Sequence, residues 1–203
     1  MKKIQTVLAA LCVAALVGLG GCASSANQRT AAYGWETLVA GEYGLANFRK
    51  VGDANWRVQD GVIVADKGGK EASYLVTRTS YTDFIIYAEF WVNDDANSGI
   101  FIRLSDHDKI TATNSYEVNI FDKRPDPSYG TGAIVNFAKV SPMPKAGGKW
   151  NSFEITAKGP ELTVKMNGVV TAQTSDRSFF HGPFALQYGT GVVKFRRVQV
   201  KPI

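Results

Sequence analysis

The sequence is poor in cysteine and histidine. It has two cysteines, Cys12 and Cys22, and no cysteine follows position 22. The chain beyond that point therefore forms no internal disulfide, carries no cysteine nucleophile and offers no thiolate to a metal. Its hydrophobic core must stabilise the fold unaided. The two histidines, His107 and His181, both lie in predicted loops. His107 stands between two aspartates, which resembles a weak metal-ligand cluster but is more typical of a solvated loop.

The chain also lacks a run of basic residues. Its formal net charge is +5, of which Lys2 and Lys3 in a predicted leader contribute two, leaving +3 after removal of that leader. The remaining excess is spread through the chain and indicates a solvated surface. We therefore expect no nucleic-acid partner.

A long apolar run occurs once, at the N-terminus. Residues 1–22 combine two lysines with an apolar run from Val7 to Leu19, too short to span a bilayer, and end in Leu19-Gly20-Gly21-Cys22. Small residues before a cysteine are typical of a lipoprotein signal, with Cys22 as the lipidation site. An ordinary secretory peptide with a chance cysteine is the alternative. Ala23 and Ser24 come directly after Cys22, with no aspartate there to retain the protein in the inner membrane. We therefore expect a bacterial envelope protein held by its lipid anchor alone, facing the periplasm from the outer membrane.

The rest of the chain reads as a tether followed by one domain. Residues 23–32 are small and polar, and residues 33–203 show no repeat and no second composition regime. Asp60-Gly61 and Asn167-Gly168 each separate two β-prone runs and predict tight hairpins. Further strands are expected near 73–77, 83–92, 99–104, 115–121, 132–138, 150–158, 183–188 and 192–200, and helical turns only near 45–48 and 175–179. Many short strands predict an all-β antiparallel sandwich of the jelly-roll class.

Three of these strands alternate apolar residues with charged, amide or aromatic ones. Side chains on a strand point alternately to its two faces. One set of faces is apolar and predicts a core, with Ile100, Ile102, Val118 and Ile120 among its members. The opposite faces would carry Tyr87, Glu89, Trp91, Phe101, Arg103, Glu117, Asn119 and Phe121. Such a mixture is typical of a sugar-binding surface. The proline-containing loops 123–129 and 141–149 either border such a cleft or are solvated connectors.

The motifs in these segments resemble, in order and spacing, bacterial 3-keto-disaccharide hydrolases, also described as 3-keto-alpha-glucoside-1,2-lyase/3-keto-2-hydroxy-glucal hydratase domains, here in a lipoprotein form. The matching pieces are Asn97-Ser98-Gly99-Ile100 with Arg103, Tyr116-Glu117-Val118-x-Ile120-x-Asp122, Thr131-Gly132-Ala133-Ile134, Trp150-Asn151, Asn167-Gly168, Leu186-Gln187 and Phe195-Arg196. The resemblance implies a concanavalin-like sandwich and a carbohydrate substrate.

A 3-ketoglucoside has an acidic proton at C2, and its removal lets the C1 group leave, after which water adds. Such chemistry needs a base and an electrophile that holds the enolate oxygen. Glu117 is our first choice as base, with Glu89 as partner or substitute, and Arg103 as the electrophile on the same face. The rings of Tyr87, Trp91, Phe101 and Phe121 would contact the pyranose, while Asn119, Gln187 and Asp122 would bind its hydroxyls. Asp122 equally suits a role in holding the following loop.

Two alternatives stay open. A glutamate and an arginine on neighbouring strands also form purely structural cross-strand pairs. Many relatives carry a histidine two residues after the glutamine of the Leu-Gln motif, where this chain has Gly189. If that histidine is needed, the protein is a lipid-anchored, non-catalytic carbohydrate-binding module and not an enzyme. We expect no cofactor, although a divalent metal is compatible with the chemistry.

Overall fold

The structure, a computed structural model, describes residues 34–203. Thirteen strands are present in this range: β1 (Glu36–Ala40), β2 (Phe48–Val51), β3 (Arg57–Gln59), β4 (Val62–Ala65), β5 (Ser73–Thr77), β6 (Phe84–Val92), β7 (Asn97–Ile102), β8 (Tyr116–Ile120), β9 (Trp150–Lys158), β10 (Glu161–Met166), β11 (Val169–Ser175), β12 (Ala185–Thr190) and β13 (Val193–Pro202). Two short 3-10 helices, Leu45–Asn47 and Pro127–Tyr129, complete the regular structure. No helix among these residues is long and apolar enough to cross a membrane.

The strands form two antiparallel sheets. The larger has the order β11-β10-β9-β6-β13-β4-β3, with β1 also paired to β13, and the smaller has the order β2-β5-β12-β7-β8. The predicted all-β antiparallel sandwich is thereby confirmed.

The core lies between the sheets because each contributes its apolar faces. In β6 every second residue from Phe84 to Val92 is buried, and the residues between them are half-buried. Ile100, Ile102, Val118 and Ile120 of the smaller sheet lie in the same core cluster, as predicted. Phe90 and Phe153 pack with ring centroids 4.8 Å apart. Trp56 belongs to this core, whereas Trp150 is half-buried on the outer face of the larger sheet.

Both predicted hairpin turns form. Asp60 and Gly61 have φ values of 52° and 74°, and Asn167 and Gly168 have values of 51° and 83°. Two successive residues with positive φ match the twist of the flanking strands, which explains the preference for glycine at the second position.

Two predicted elements, the strand at 132–138 and the helical turn at 175–179, differ from the structure. Residues 132–138 form no strand, because the amides of Phe137 and Ala138 both donate to the carbonyl of Ile134 and Asn136 has a φ of 69°. This segment instead turns back beside the edge of β8, to which one bridge, between Val118 and Ile134, connects it. The strands β1 and β2 are additional, and residues 175–179 form no helix.

Candidate functional site

The outer face of the smaller sheet brings together polar and aromatic side chains from four adjacent strands. Across the sheet, Phe101 is opposite Ala185 on one side and Glu117 on the other, and Gly99 is opposite Gln187 and Asn119. Gln187 is in turn opposite Tyr74 of β5. We call Tyr74, Phe101, Glu117, Asn119 and Gln187 the site face. Two of them, Tyr74 and Phe101, belong to a second buried cluster, separate from the main core, with Val76, Leu104, Ile110 and Ala185.

Glu117 is the charged group of this face. It is 8% exposed. No hydrogen bond or ion pair to its carboxylate occurs within residues 34–203. Burial raises the pKa of Glu117 to about 7, and the positive charge of Arg124 opposes this only in part. A carboxylate whose pKa lies near neutrality exchanges a proton easily at ordinary pH, as a general base must.

Two buried amides flank Gly99. The Asn119 amide nitrogen donates to the carbonyl of Tyr129 at 2.7 Å, and the Gln187 amide nitrogen contacts the Tyr74 hydroxyl at 3.5 Å. The side-chain oxygens of both amides have no hydrogen-bond partner among the described residues. Buried acceptors without a donor are rare in folded proteins, so these two oxygens are candidates for ligand hydroxyls or bound water.

Gly99 makes room for this arrangement. A Cβ atom at this position would lie 3.0 Å from the carbonyl oxygen of Val118 and 3.4 Å from the side-chain oxygen of Gln187. Asn97, Ser98 and Gly99 are the first three residues of β7, and the glycine allows close contact at the site face.

The loop from 105 to 114 covers one side of the site face. Ile110 packs in the same cluster as Tyr74 and Phe101, and its carbonyl accepts a hydrogen bond from the Tyr74 hydroxyl at 3.3 Å. An ion pair of 2.8 Å between Arg49 and Asp108 and a bond of 2.6 Å from Arg49 to the His107 carbonyl tie the loop to β2. His107 thus contributes its backbone here, and no cluster of three potential metal ligands occurs within residues 34–203.

The prediction that Arg103 lies beside Glu117 is wrong. Arg103 has a φ of 54°, in the left-handed region, so strand alternation ends at Ile102. Its fully buried guanidinium donates to the carbonyls of Thr82 (2.7 and 3.0 Å), Gly159 (2.8 Å) and Phe179 (3.2 Å), and to the Asp83 carboxylate at 3.2 Å. Arg103 therefore joins three chain segments and has no part in the site face.

Glu89, Tyr87 and Trp91 also lie elsewhere. They are half-buried on the outer face of the larger sheet, because β6 pairs with β9 and β13 and not with β7. Arg196 donates to Glu89 at 2.6 Å, and Tyr87 donates to it at 3.1 Å. Burial works to raise the pKa of Glu89, but these hydrogen bonds outweigh it and the pKa lies below its ordinary value. Side-chain alternation shows which residues share a face of one strand, but not which strands share a sheet.

Asp122 holds the loops that follow β8. Its carboxylate accepts hydrogen bonds from the Thr131 hydroxyl at 2.6 Å and from the backbone amides of Ala146 and Gly147 at 2.9 and 3.0 Å. The loop-holding alternative for Asp122 is the one that the structure supports. Phe121, half-buried beyond the end of β8, is next to Asp122 in the chain.

Gly189 occupies the sequence position at which the family resemblance leads us to expect a histidine. It lies at a bulge where the register between β12 and β7 shifts. A Cβ atom here would be 2.8 Å from the carbonyl oxygen of Asn97. This backbone has no room for any side chain without rearrangement.

Two groups near Glu117 were not among the predicted site residues. Tyr74 lies on a correctly predicted strand, yet its place beside Gln187 follows only from the pairing of β5 with β12. Arg124 lies in the loop after β8, and its charge acts on Glu117. No local sequence signal indicates either contact.

Comparison with known proteins supports the fold. Two crystal structures of candidate glycosyl hydrolases from Parabacteroides distasonis share the fold. One is 22% identical, with 83% of this chain and 99% of that chain covered and a TM-score of 0.66. The other is 18% identical, with 84% and 89% covered and a TM-score of 0.65.

The carbohydrate-binding module CBM66 from Bacillus subtilis is 18% identical, with 83% of this chain and 95% of that chain covered and a TM-score of 0.56. A search of curated proteins gives no match. The model of the 3-keto-alpha-glucoside-1,2-lyase-like domain matches residues 34–201, nearly the whole described range. The chain therefore belongs to this family of carbohydrate-related domains.

Proposed function

We propose that this protein cleaves 3-keto-glycosides or 3-keto-disaccharides by proton abstraction, elimination and hydration, with Glu117 as the base. The observation that carries the proposal is the environment of Glu117. Its carboxylate is almost fully buried, has no ionic partner among residues 34–203 and has a pKa raised to about 7. Family membership supports the choice of substrate class.

In the first step the Glu117 carboxylate takes the proton from C2, and the C2–H electron pair forms the C2–C3 double bond of the enolate. The enolate then re-forms the C3 carbonyl while a C1–C2 double bond forms and the C1–oxygen bond breaks. The departing oxygen takes up a proton, for which protonated Glu117 is the proposed donor. Water adds to C1 and a proton returns to C2, which completes net glycosidic cleavage.

The enolate oxygen needs a hydrogen-bond donor or a positive charge. The Tyr74 hydroxyl already donates its proton to the carbonyl of Ile110, and Arg103 is bound to other segments. We therefore assign this role to the second N–H of the Gln187 amide, assisted by the charge of Arg124. The unpartnered oxygens of Asn119 and Gln187 would accept hydrogen bonds from sugar hydroxyls. Beside them, the buried ring of Phe101 packs edge to face with Tyr74, with ring centroids 5.4 Å apart.

The test is turnover of a 3-keto-glucoside or 3-keto-trehalose by the wild-type protein, followed by the absorbance of the 2-hydroxy-3-keto-glucal intermediate. Because the base acts in its deprotonated form and its pKa is about 7, kcat/KM is expected to rise with pH through neutrality and then level off. A rate that is flat between pH 5 and 8 would exclude Glu117 as the base.

A carbohydrate-binding module without catalysis is the second candidate. The backbone at Gly189 has no room for the histidine that the family resemblance implies, and the Arg103 guanidinium binds Thr82, Gly159 and Phe179. Equal affinity for 3-keto-glucosides and unoxidised glucosides, with no turnover of either, would establish this function in place of the enzyme.

We also propose that the protein is a lipoprotein of the bacterial envelope, anchored through Cys22 and facing the periplasm from the outer membrane. Residues 1–22 lie outside the described residues, so the proposal rests on the sequence Leu19-Gly20-Gly21-Cys22. In Cys22→Ser we expect an unprocessed, unlipidated precursor and an unchanged melting temperature of the domain. Normal leader cleavage and lipid labelling in that variant, measured by mass spectrometry, would exclude the anchor.

A further inference from the structure

The outer face of the larger sheet carries a second organised cluster, remote from the site face in topology. We call it the basic–aromatic patch; its members are Tyr87, Glu89, Trp91, Trp150, Lys194, Arg196 and Arg197. They come from three neighbouring strands, β9, β6 and β13. Arg196 lies at a register shift of β13, so two consecutive arginines, Arg196 and Arg197, are both exposed there.

Each cation of the patch lies over an aromatic ring. The Lys194 ammonium is 4.5 Å from the centroid of the Trp91 ring, and the Arg196 guanidinium carbon is 4.2 Å from the Trp150 ring. Arg197 lies over Tyr87 in the same way, at 4.9 Å. Such contacts restrict long side chains that would otherwise lose more conformational entropy on binding a ligand.

The patch retains positive charge and hydrogen-bond donors. Glu89 is its single carboxylate and faces two arginines, with a hydrogen bond from Arg196 Nε at 2.6 Å and a distance of 3.8 Å to Arg197. The terminal nitrogens of Arg196 and the ammonium of Lys194 have no oxygen partner within residues 34–203. Three ordered cations with one carboxylate are complementary to an anionic ligand.

We infer that the basic–aromatic patch is a binding site for an acidic glycan, a polysaccharide whose residues carry carboxylate groups. Lys194 and Arg196 would contact those carboxylates, while Glu89 would accept hydrogen bonds from hydroxyls. Glu89 makes the patch less suited to nucleic acid, which has a dense negative charge and fewer hydroxyl donors. The strongly exposed large hydrophobic side chains of the described chain, Tyr43, Val169, Val170, Phe180 and Ile203, are all outside the patch, which disfavours insertion into a bilayer.

The experiment is a titration of the wild-type protein with polygalacturonate, followed by tryptophan fluorescence, with uncharged dextran alongside. Binding is expected to change the emission of Trp91 and Trp150 and to weaken as salt is added. The double variant Lys194→Gln/Arg196→Gln should bind polygalacturonate at least about tenfold more weakly than wild type. The matched control, Lys158→Gln/Lys165→Gln, loses the same charge from β9 and β10 and should bind like wild type.

Thermal unfolding of both double variants would verify that each is folded. If both double variants lose affinity for polygalacturonate equally, the effect depends on net charge alone and the proposed site is wrong. The proposal is also wrong if the wild-type protein binds dextran as strongly as polygalacturonate. It is equally wrong if the protein binds duplex DNA or anionic lipid vesicles and does not bind polygalacturonate. Since none of these measurements depends on turnover, the inference is independent of the function proposed for Glu117.

Discussion

Glu117→Gln is expected to reduce kcat/KM on a 3-keto-glycoside by about a hundred- to ten-thousand-fold while leaving the protein folded. Glutamine keeps the size of the side chain but cannot take the C2 proton, and the loss of a general base typically has this magnitude. Binding of the 3-keto-glycoside should survive, because Tyr74, Phe101 and Gln187 are unchanged.

The same substitution is expected to increase stability above neutral pH. The pKa of Glu117 is raised from 4.5 to about 7 in the folded protein, so between these values the folded state binds more protons than the unfolded state. The free energy of unfolding of the wild type should therefore fall as pH rises through this window, by up to about 3 kcal/mol. Glu117→Gln should lack this decline and be the more stable protein at pH 8.

Urea unfolding at pH 5 and pH 8, with single-turnover kinetics on the same samples, measures both effects. Asp108→Asn is a suitable control, since it removes an exposed carboxylate of the covering loop. If Glu117→Gln is instead less stable than wild type at pH 8, Glu117 is a structural residue and the base must be sought elsewhere.

Arg103→Ala is expected to destabilise the protein by about 3–5 kcal/mol, the range found when one partner of a buried ionic network is removed. The side chain is fully buried, and its loss leaves the carbonyls of Thr82, Gly159 and Phe179 without these donors. Arg103→Lys should recover only part of the stability, because an ammonium group cannot reproduce the planar fork of the guanidinium group.

The control for Arg103 is Arg49→Ala, which breaks an ion pair whose side chains are 40% and 75% exposed. That loss should be below about 1 kcal/mol. Denaturant unfolding gives both values, and kcat/KM per folded molecule of Arg103→Lys should match wild type. If the Arg103→Lys protein is stable but its turnover is strongly impaired, Arg103 has a catalytic role after all.

Local patterns were sufficient for most of the fold. Alternation in Phe84–Val92 identified the buried face of β6, and the Asp-Gly and Asn-Gly pairs identified both hairpin turns. These features depend on the backbone and on neighbours a few residues apart, which is why a single sequence reveals them. Residues 132–138 have strand-like composition, but the turn at Ile134 and the positive φ of Asn136 override it.

The chain by itself determined the all-β class and the place of Glu117 opposite the apolar face of its strand, because these follow from composition and two-residue periodicity. The family resemblance came from the order and spacing of its motifs. Only the tertiary structure decided that β6 and β8 belong to different sheets, which separates Glu89 from Glu117. It also decided that a positive φ turns Arg103 into a buried link between segments, and that Tyr74 lies beside Gln187. Strand order and burial depend on contacts between residues far apart in the sequence, and alternation along one strand contains no information about them.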